Sequence, residues 1–240
     1  MSQRDQYQGA YFTPSGGLVW HWRALWRRRY WTDFIDAVAA ELSHWHPPHK
    51  KLLLLGPSAG WCLPSDFLTR FNSIHAIDLD PLAERLFRFN HGRALQRKDV
   101  ELTFELENIF TSFDTLLDRF RDHAILFPNM LGQHIYHMAD TDAARLEIES
   151  VKMKLHDRHW ASIHDRLSGK IKSGRPLPEP MRLNEAIEPD RLAETLRLTG
   201  EWVDHLTTHV LPAGCERQIV GWRLLDDWMH IVEIGSVSPN

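Results

Sequence analysis

The chain has 240 residues, a formal net charge of −4, 43% hydrophobic residues and 25% charged residues. These proportions are ordinary for one folded domain, and the mild negative charge excludes a general attraction to nucleic acid or anionic membranes. Two cysteines are too few for a disulfide framework, and no apolar stretch approaches the roughly 20 residues of a membrane span. We therefore expect a soluble, cytoplasmic protein.

Residues 1–50 form an N-terminal helical extension, which we separate from the main domain at residues 51–240. Apolar and aromatic residues recur every three or four positions from residue 18 to 45, and this spacing predicts one long helix with a single buried face. The residues on that face are Val19, Trp22, Trp26, Tyr30, Phe34, Val38, Leu42 and Trp45. A helix docked on a sheet accounts for the pattern better than a nucleic-acid surface made of its arginines and tryptophans.

Two apolar runs come next and predict neighbouring buried strands. Residues 52–60 read LLLLGPSAG, and residues 74–81 read IHAIDLDP. A strand, a glycine turn, a helix and a second strand that ends in a carboxylate form the nucleoside-binding half of many α/β folds. The glycines let the backbone approach the ligand, while the Asp78 carboxylate accepts hydrogen bonds from ribose hydroxyls.

The remaining elements alternate between strand and helix and end in a hairpin. We predict strands at 100–106, 124–127 and 159–163, helices starting near 63–66 and at 81–91, 113–120, 141–155 and 190–206, and a loop at 168–189. Asp226 and Asp227 form the hairpin turn between strands at 218–224 and 228–234. The fold class is therefore α/β, with a Rossmann-like, doubly wound sheet of seven strands that is mostly parallel and has an antiparallel C-terminal hairpin.

The spacing of the glycines decides which nucleoside fits. Gly56 and Gly60 do not form the G-x-G-x-x-G pattern that seats a dinucleotide pyrophosphate, and no Gly-Lys-Ser/Thr of a phosphate-binding loop follows. A turn of small residues suits a ligand that has a ribose and a carboxylate but no phosphate. S-adenosylmethionine (SAM) is such a ligand.

With these features, residues 52–237 resemble the class I, Rossmann-like SAM-dependent methyltransferases. In that family the first strand ends in an acid-x-Gly-x-Gly-x-Gly turn, which falls here on Leu54, Gly56, Ser58 and Gly60. Two glycines match the family pattern, whereas Leu54 and Ser58 depart from it.

Later positions carry the resemblance further along the chain. The acid that binds the ribose falls on Asp78, the polar residue that meets the adenine amine falls on Asn108, and the turn after strand four falls on Asn129. The resemblance implies SAM as the cofactor, bound by Gly56, Ser58, Ala59, Gly60, Asp78, Leu79, Asn108, Ile109 and Asn129.

Candidate catalytic residues follow the fourth and fifth predicted strands, at the edge of the sheet where ligands bind. His164 and Asp165 come directly after strand five, and His134 and Tyr136 follow strand four. Methyl transfer is an in-line displacement in which positioning supplies much of the rate, and a base is needed only when the acceptor holds a proton. We choose His164 first, with Asp165 and Tyr136, as base or acceptor ligand.

We predict no metal site from the histidine clusters. His44-x-His46-x-x-His49 and His134-x-x-His137 have no carboxylate or cysteine at a familiar ligand spacing. Pro47 and Pro48 also interrupt the first of these patterns.

The leading hypothesis is a SAM-dependent methyltransferase for a small-molecule or peptide acceptor, with the N-terminal extension and the 168–189 loop as lid. Basic residues in and beside that loop suit an acidic acceptor: Arg166, Lys170, Lys172, Arg175 and Arg182. An inactive methyltransferase-fold scaffold, favoured by Leu54 and Ser58, stays open, as does a nucleoside-binding enzyme of other chemistry such as a reductase. A homodimer also stays open, while membrane and nucleic acid are not expected as partners.

Overall fold

The computed structural model describes residues 17–134 and 140–239. The described strands are β1 (Lys51–Leu55), β2 (Ser73–Asp78), β3 (Glu101–Leu106), β4 (Ala124–Pro128), β5 (Trp160–Lys170), β6 (Met181–Leu183), β7 (Trp202–Asp204), β8 (Arg217–Leu225) and β9 (Trp228–Val237). The helices are α1 (Gly17–Arg27), α2 (Thr32–His44), α3 (Ser65–Leu68), α4 (Ala83–Arg97), α5 (Ile109–Arg119), α6 (Met130–Gln133), α7 (Thr141–Lys154) and α8 (Pro189–Thr195). Within these ranges, no helix has the length and hydropathy needed to cross a membrane.

All the described strands belong to one sheet with the order β3-β2-β1-β4-β5-β9-β8-β6, and β7 pairs with β5. Strands β1 to β5 run parallel, whereas β9 is inserted antiparallel between β5 and β8. The predicted Rossmann-like sheet and its antiparallel hairpin, with Asp226 and Asp227 in the turn, are confirmed. The strand count differs because the short β6 and β7 lie in segments predicted as loop and helix.

Strand β5 is longer than the sequence indicates. It continues to Lys170 instead of ending at residue 163, because it pairs with β9 from Trp160 opposite Val237 to Lys170 opposite Trp228. Polar residues from 164 onward indicate the end of a strand, yet here they are buried and paired. The predicted loop therefore starts later, and the predicted helix at 190–206 divides into α8 and β7.

The N-terminal region is not one continuous helix. A 3-10 turn at Arg28–Tyr30 separates α1 from α2, so the apolar positions of the two helices do not share a face. Phe34 and Val38 of α2 are buried in the core. Trp22 and Trp26 of α1 are 66% and 63% exposed, so their predicted place on the buried face is wrong.

Two large apolar cores cover the two faces of the sheet, and a smaller third core forms around Leu192 of α8. An aromatic cluster joins the N-terminal helices to the first large core. The ring of Trp222 on β8 stacks on Phe34 at a centroid distance of 4.7 Å and meets the edge of Trp31 at 5.1 Å. Helices α5 and α7 cover the opposite face. Residues 32–44 thus belong to the main core, to which α1 contributes the buried Ala24.

Truncation of the central ring of this cluster tests the packing. Trp222→Ala should lower the free energy of unfolding by about 3–5 kcal/mol, the usual cost of removing a buried aromatic ring. Trp26→Ala, which removes an exposed ring, should change it by less than about 0.5 kcal/mol. Urea unfolding measures both, and similar losses in the two variants would contradict the assignment of the buried face.

Candidate functional site

The turn after β1 lies at the carboxyl edge of the parallel strands and is held in a left-handed backbone conformation. Gly56 and Gly60 have φ values of +71° and +63°, and Ser58 also has a positive φ of +50°. The Gly56 amide donates to the Ile77 carbonyl at 2.8 Å, which joins the turn to β2. Positive φ is the conformation that glycine adopts without strain, so the sequence pattern and the backbone agree here.

Helix α4 fixes the same turn from outside. Asn90 Nδ2 donates to the Ala59 carbonyl at 2.8 Å, and His91 Nε2 contacts the Gly60 carbonyl at 3.0 Å. Burial lowers the pKa of His91 to about 4, so the ring is neutral at physiological pH and can donate through one nitrogen only. The turn is therefore rigid before any ligand binds.

Asp78 ends β2 beside this turn, as predicted. Its Oδ2 accepts the Ser58 amide at 2.6 Å, and its Oδ1 accepts the Asp80 amide at 2.8 Å. Burial raises the pKa of Asp78 to about 6, although both amide hydrogen bonds act in the opposite direction. A carboxylate offers about four acceptor positions, so two remain for ligand hydroxyls.

The other residues predicted to bind cofactor lie along the same edge but differ in their availability. The Ser58 and Gly60 amides donate within the protein, to Asp78 and to the Pro57 carbonyl, rather than outward. Asn108 caps α5 by accepting the Phe110 amide at 3.1 Å, and the adjacent Ile109 is buried.

Two apolar side chains flank Asp78 at the surface. Leu79, the residue after Asp78, is 38% exposed. Leu106, which lies opposite Asp78 in β3, is 45% exposed. Exposed leucines beside a buried carboxylate form an apolar wall against which a flat ring can pack.

Helix α1 is tied to the loop after β2 through a buried hydrogen-bond chain that the sequence did not predict. Trp61 Nε1 donates to His21 Nδ1 at 3.0 Å, and His21 Nε2 contacts Asp80 Oδ2 at 2.7 Å. Because an indole nitrogen can only donate, Nδ1 of His21 is the acceptor. Nε2 therefore carries the hydrogen and donates a hydrogen bond to Asp80. The Gly17 amide also donates to Asp80 at 3.2 Å. The start of α1 is therefore held beside Asp78.

The three catalytic candidates have different surroundings. His164 does not follow β5 but lies inside it, fully buried, with Nδ1 2.9 Å from Ser162 Oγ and Nε2 3.6 Å from Glu233. It lies one residue past the level at which β4 ends, and its side chain is buried rather than open to a ligand because the strand continues beside β9. Asp165 points to the opposite face, just past the end of β4. Tyr136 lies outside the described residues.

Asp165 is the centre of a polar cluster. Its Oδ2 accepts Gln133 Nε2 at 2.6 Å and Asn129 Nδ2 at 3.2 Å. Its Oδ1 lies 3.0 Å from Nδ1 of His230 on β9, and His205, which follows β7, is close by. Asn129, predicted to bind cofactor, thus orients Asp165 in the described structure. Nothing in the sequence separated His205 and His230 from the other histidines.

The charge states in this cluster follow from its pairing. Burial raises the pKa of Asp165, but His230, His205 and the hydrogen bond from Asn129 outweigh it and hold the pKa below its ordinary value. Burial lowers the pKa of His205 despite the nearby Asp165 charge. Asp165 is therefore a carboxylate at neutral pH, and His205 is a neutral imidazole.

The opposite face of β5 and β9 carries a second buried network. Glu233 pairs with Arg166 and lies 3.3 Å from Arg217. Burial raises the pKa of Glu233, but His164 and the two arginines outweigh it and leave the pKa below its ordinary value. The guanidinium of Arg166 is committed to this buried pair, so it is not available to an acidic acceptor. The prediction that Arg166 would serve such an acceptor is therefore not supported.

Comparisons with known proteins find similarity in structure but not in sequence. No family model and no curated protein matches the chain. It is similar to magnesium protoporphyrin IX methyltransferase from Synechocystis, at 10% identity and a TM-score of 0.43, over 97% of this chain and 93% of that one. It is also similar to CalS10, an amino pentose methyltransferase from Micromonospora echinaspora, at 16% identity and a TM-score of 0.37, over 91% and 82%. Identities this low concern the fold and do not identify a function.

The close packing behind the turn gives a direct test. In Gly60→Ala, a Cβ would lie 2.7 Å from His91 Nε2 and 2.8 Å from Phe87 Cε2, at a backbone φ of +63°. We expect a loss of about 2–5 kcal/mol in unfolding free energy, from backbone strain plus overpacking. Gly174 has a similar φ of +77° with nothing within 4 Å, so Gly174→Ala should lose only the strain, about 1–2 kcal/mol. Equal losses in urea unfolding would contradict a tightly packed turn.

Proposed function

We propose that the chain binds SAM at the carboxyl ends of β1 and β2 and transfers its methyl group to a small-molecule or peptide acceptor. The observation that supports this most directly is Asp78, a buried carboxylate beside a rigid left-handed turn with acceptor positions left over. A buried carboxylate with a raised pKa lowers the stability of the fold at neutral pH, and such groups are concentrated at functional sites. The sheet is mostly parallel and has an antiparallel C-terminal hairpin, as the sequence indicated.

The residues of the turn fit the amino-acid end of SAM. The Ser58 hydroxyl oxygen is buried and has no hydrogen-bond partner among the described residues. A buried hydroxyl without a partner is costly, and a ligand carboxylate would accept a hydrogen bond from it. Asp78 would accept the ribose hydroxyls, while Leu79 and Leu106 would cover one face of the adenine.

The two departures from the family pattern do not remove this site. Leu54 is fully buried in β1, so the acid missing there leaves no gap at the surface. Ser58 adopts the positive φ that the family glycine would provide. The alternative of an inactive scaffold, which rested on these two positions, therefore has less support than catalysis.

Bound SAM supplies an activated methyl group, and the protein has to orient the acceptor and exclude water. Asp165 is the catalytic candidate placed beside the turn that follows β4, through Asn129. Of the N-terminal extension at residues 1–50, we propose α1 as the cover of the site, because α2 is part of the main core. Residues 1–16 of that extension lie outside the described residues. His21 and Gly17 connect α1 to Asp80.

SAM binding should depend on the ionisation of Asp78. Its pKa of about 6 lies above the ordinary 3.8, so the carboxylate becomes protonated as the pH falls below 6 and can no longer accept two ribose hydroxyls. The association constant for SAM should therefore be constant above pH 7 and fall towards tenfold per pH unit below 6. Isothermal titration between pH 7.5 and 5 measures this.

The matched variant is Asp78→Asn, which keeps the size and shape of the side chain and removes the group that titrates near pH 6. It should bind SAM about 1.5–3 kcal/mol more weakly at pH 7.5, as expected for lost hydrogen bonds to a charged acceptor. Its affinity should show no step near pH 6. Unchanged affinity in the variant, or no heat from the wild-type chain at millimolar SAM, would contradict the proposed function.

The covering role of α1 predicts a kinetic effect. His21→Ala removes the contact with Asp80, so α1 should open more often, and both association and dissociation of SAM should accelerate. The dissociation constant should stay within about threefold, or ~0.65 kcal/mol. Stopped-flow fluorescence measures the rates. Trp26→Ala, on the same helix but exposed, is the control and should leave both rates unchanged.

A further inference from the structure

Three side chains from separate parts of the chain converge beside the turn after β4. Asp165 comes from β5, His205 from the segment after β7, and His230 from β9, and all three are buried. One carboxylate oxygen and one nitrogen from each ring lie within 4.8 Å of one another. Donor atoms that share one ion at 2.0–2.2 Å must lie about 3–4 Å apart, so the cluster is close to that spacing.

The partners of Asp165 leave one oxygen directed into the cluster. Oδ2 is occupied by Gln133 and Asn129, at 2.6 and 3.2 Å. Oδ1 has no hydrogen-bond partner among the described residues, although it lies 3.0 Å from His230 Nδ1. A carboxylate whose outer oxygen is held by amides while its inner oxygen faces two imidazoles has the arrangement of a metal ligand.

The two histidines are oriented in a compatible way. His205 Nδ1 lies 2.5 Å from the Gly132 carbonyl, which fixes the proton on that nitrogen and puts the lone pair on Nε2. Nε2 lies 2.9 Å from the Ser168 hydroxyl, a group that can rotate to release the lone pair. His230 Nε2 is buried and has no hydrogen-bond partner within the described ranges.

We propose that Asp165, His205 and His230 bind a divalent transition-metal ion. Two imidazoles and one carboxylate are a ligand set that suits first-row metals such as Zn²⁺, Fe²⁺ and Co²⁺ rather than Mg²⁺ or Ca²⁺. The sequence predicted no metal, because its ligands come from three elements that are far apart in the chain. Three protein ligands leave at least one coordination position for water or for an oxygen or nitrogen of a bound molecule.

The position of the cluster relates it to the proposed SAM site. The Met130 side chain packs against Gly56, so close that a Cβ on Gly56 would lie 2.7 Å from it, and the adjacent Asn129 bonds to Asp165. An ion here would therefore lie one short helix away from the glycine turn. The metal assignment itself rests only on the cluster and its partners, and it does not depend on the chain being a methyltransferase.

The experiment uses Co²⁺ as the probe with the full chain. The protein is dialysed against a chelator, then titrated with Co²⁺ while the visible d–d absorption and the bound metal are measured. We expect one equivalent of tightly bound Co²⁺, which Zn²⁺ displaces. His205→Gln and His230→Gln should each weaken binding by more than the ten- to hundredfold that loss of an outer partner costs. His44→Gln, at an exposed histidine outside the cluster, should bind as the wild-type chain does.

A second variant keeps the test decisive if the buried substitutions prevent folding. Gln133→Ala removes a half-buried partner of Asp165 without touching a ligand and should weaken Co²⁺ binding ten- to hundredfold at unchanged melting temperature in chelator. Absence of stoichiometric Co²⁺ or Zn²⁺ binding by the wild-type chain would overturn the proposal. Equal binding by the wild-type, His205→Gln and His230→Gln proteins would overturn it as well. SAM binding, measured separately without metal, shows independently whether the proposed function fails.

Discussion

Asp78 places an ionisable carboxylate in the protein interior where β1 and β2 end, and two backbone amides hold it there. To donate to it, Ser58 adopts a left-handed conformation, and this fixes the shape of the glycine turn. The Asp80 amide completes the pair, and the Asp80 side chain then receives His21 and Gly17 from α1. Two neighbouring buried carboxylates thus connect the glycine turn, the second strand and helix α1.

The antiparallel pair of β5 and β9 buries several ionisable groups within one sheet. Side chains alternate between the faces, so neighbouring residues enter separate environments. On one face Glu233 is neutralised by Arg166 and Arg217, a buried network in which each charge has a partner. On the other face Asp165 meets His205 and His230, and there Asp165 Oδ1 and the ring nitrogens of His230 have no hydrogen-bond partner among the described residues. In the first arrangement the carboxylate is paired with two guanidinium groups, whereas in the second some polar atoms have no hydrogen-bond partner in the part of the chain that the structure describes.

The sequence predicted those parts of the molecule that depend on local patterns. Unbroken apolar runs identified β1 and β2. The positions of Gly56 and Gly60 followed from the end of the first run, and that of Asp78 followed from the end of the second. The extent of β5 was not predictable in this way, because its polar residues are matched by partners on β9 that only the folded sheet brings near. The break in the N-terminal helix was missed for a related reason. Its aromatic spacing continues across Arg28–Tyr30, while the buried face changes at that turn.

The most direct test of the account is a crystal structure of the chain with S-adenosylhomocysteine, the demethylated product of SAM. We expect both ribose hydroxyls to lie within hydrogen-bond distance of the Asp78 carboxylate, with the amino-acid end against Ser58 and the adenine against Leu79 and Leu106. Density for the ligand at another edge of the sheet would contradict it, as would a fully loaded crystal in which Asp78 keeps only its two amide partners.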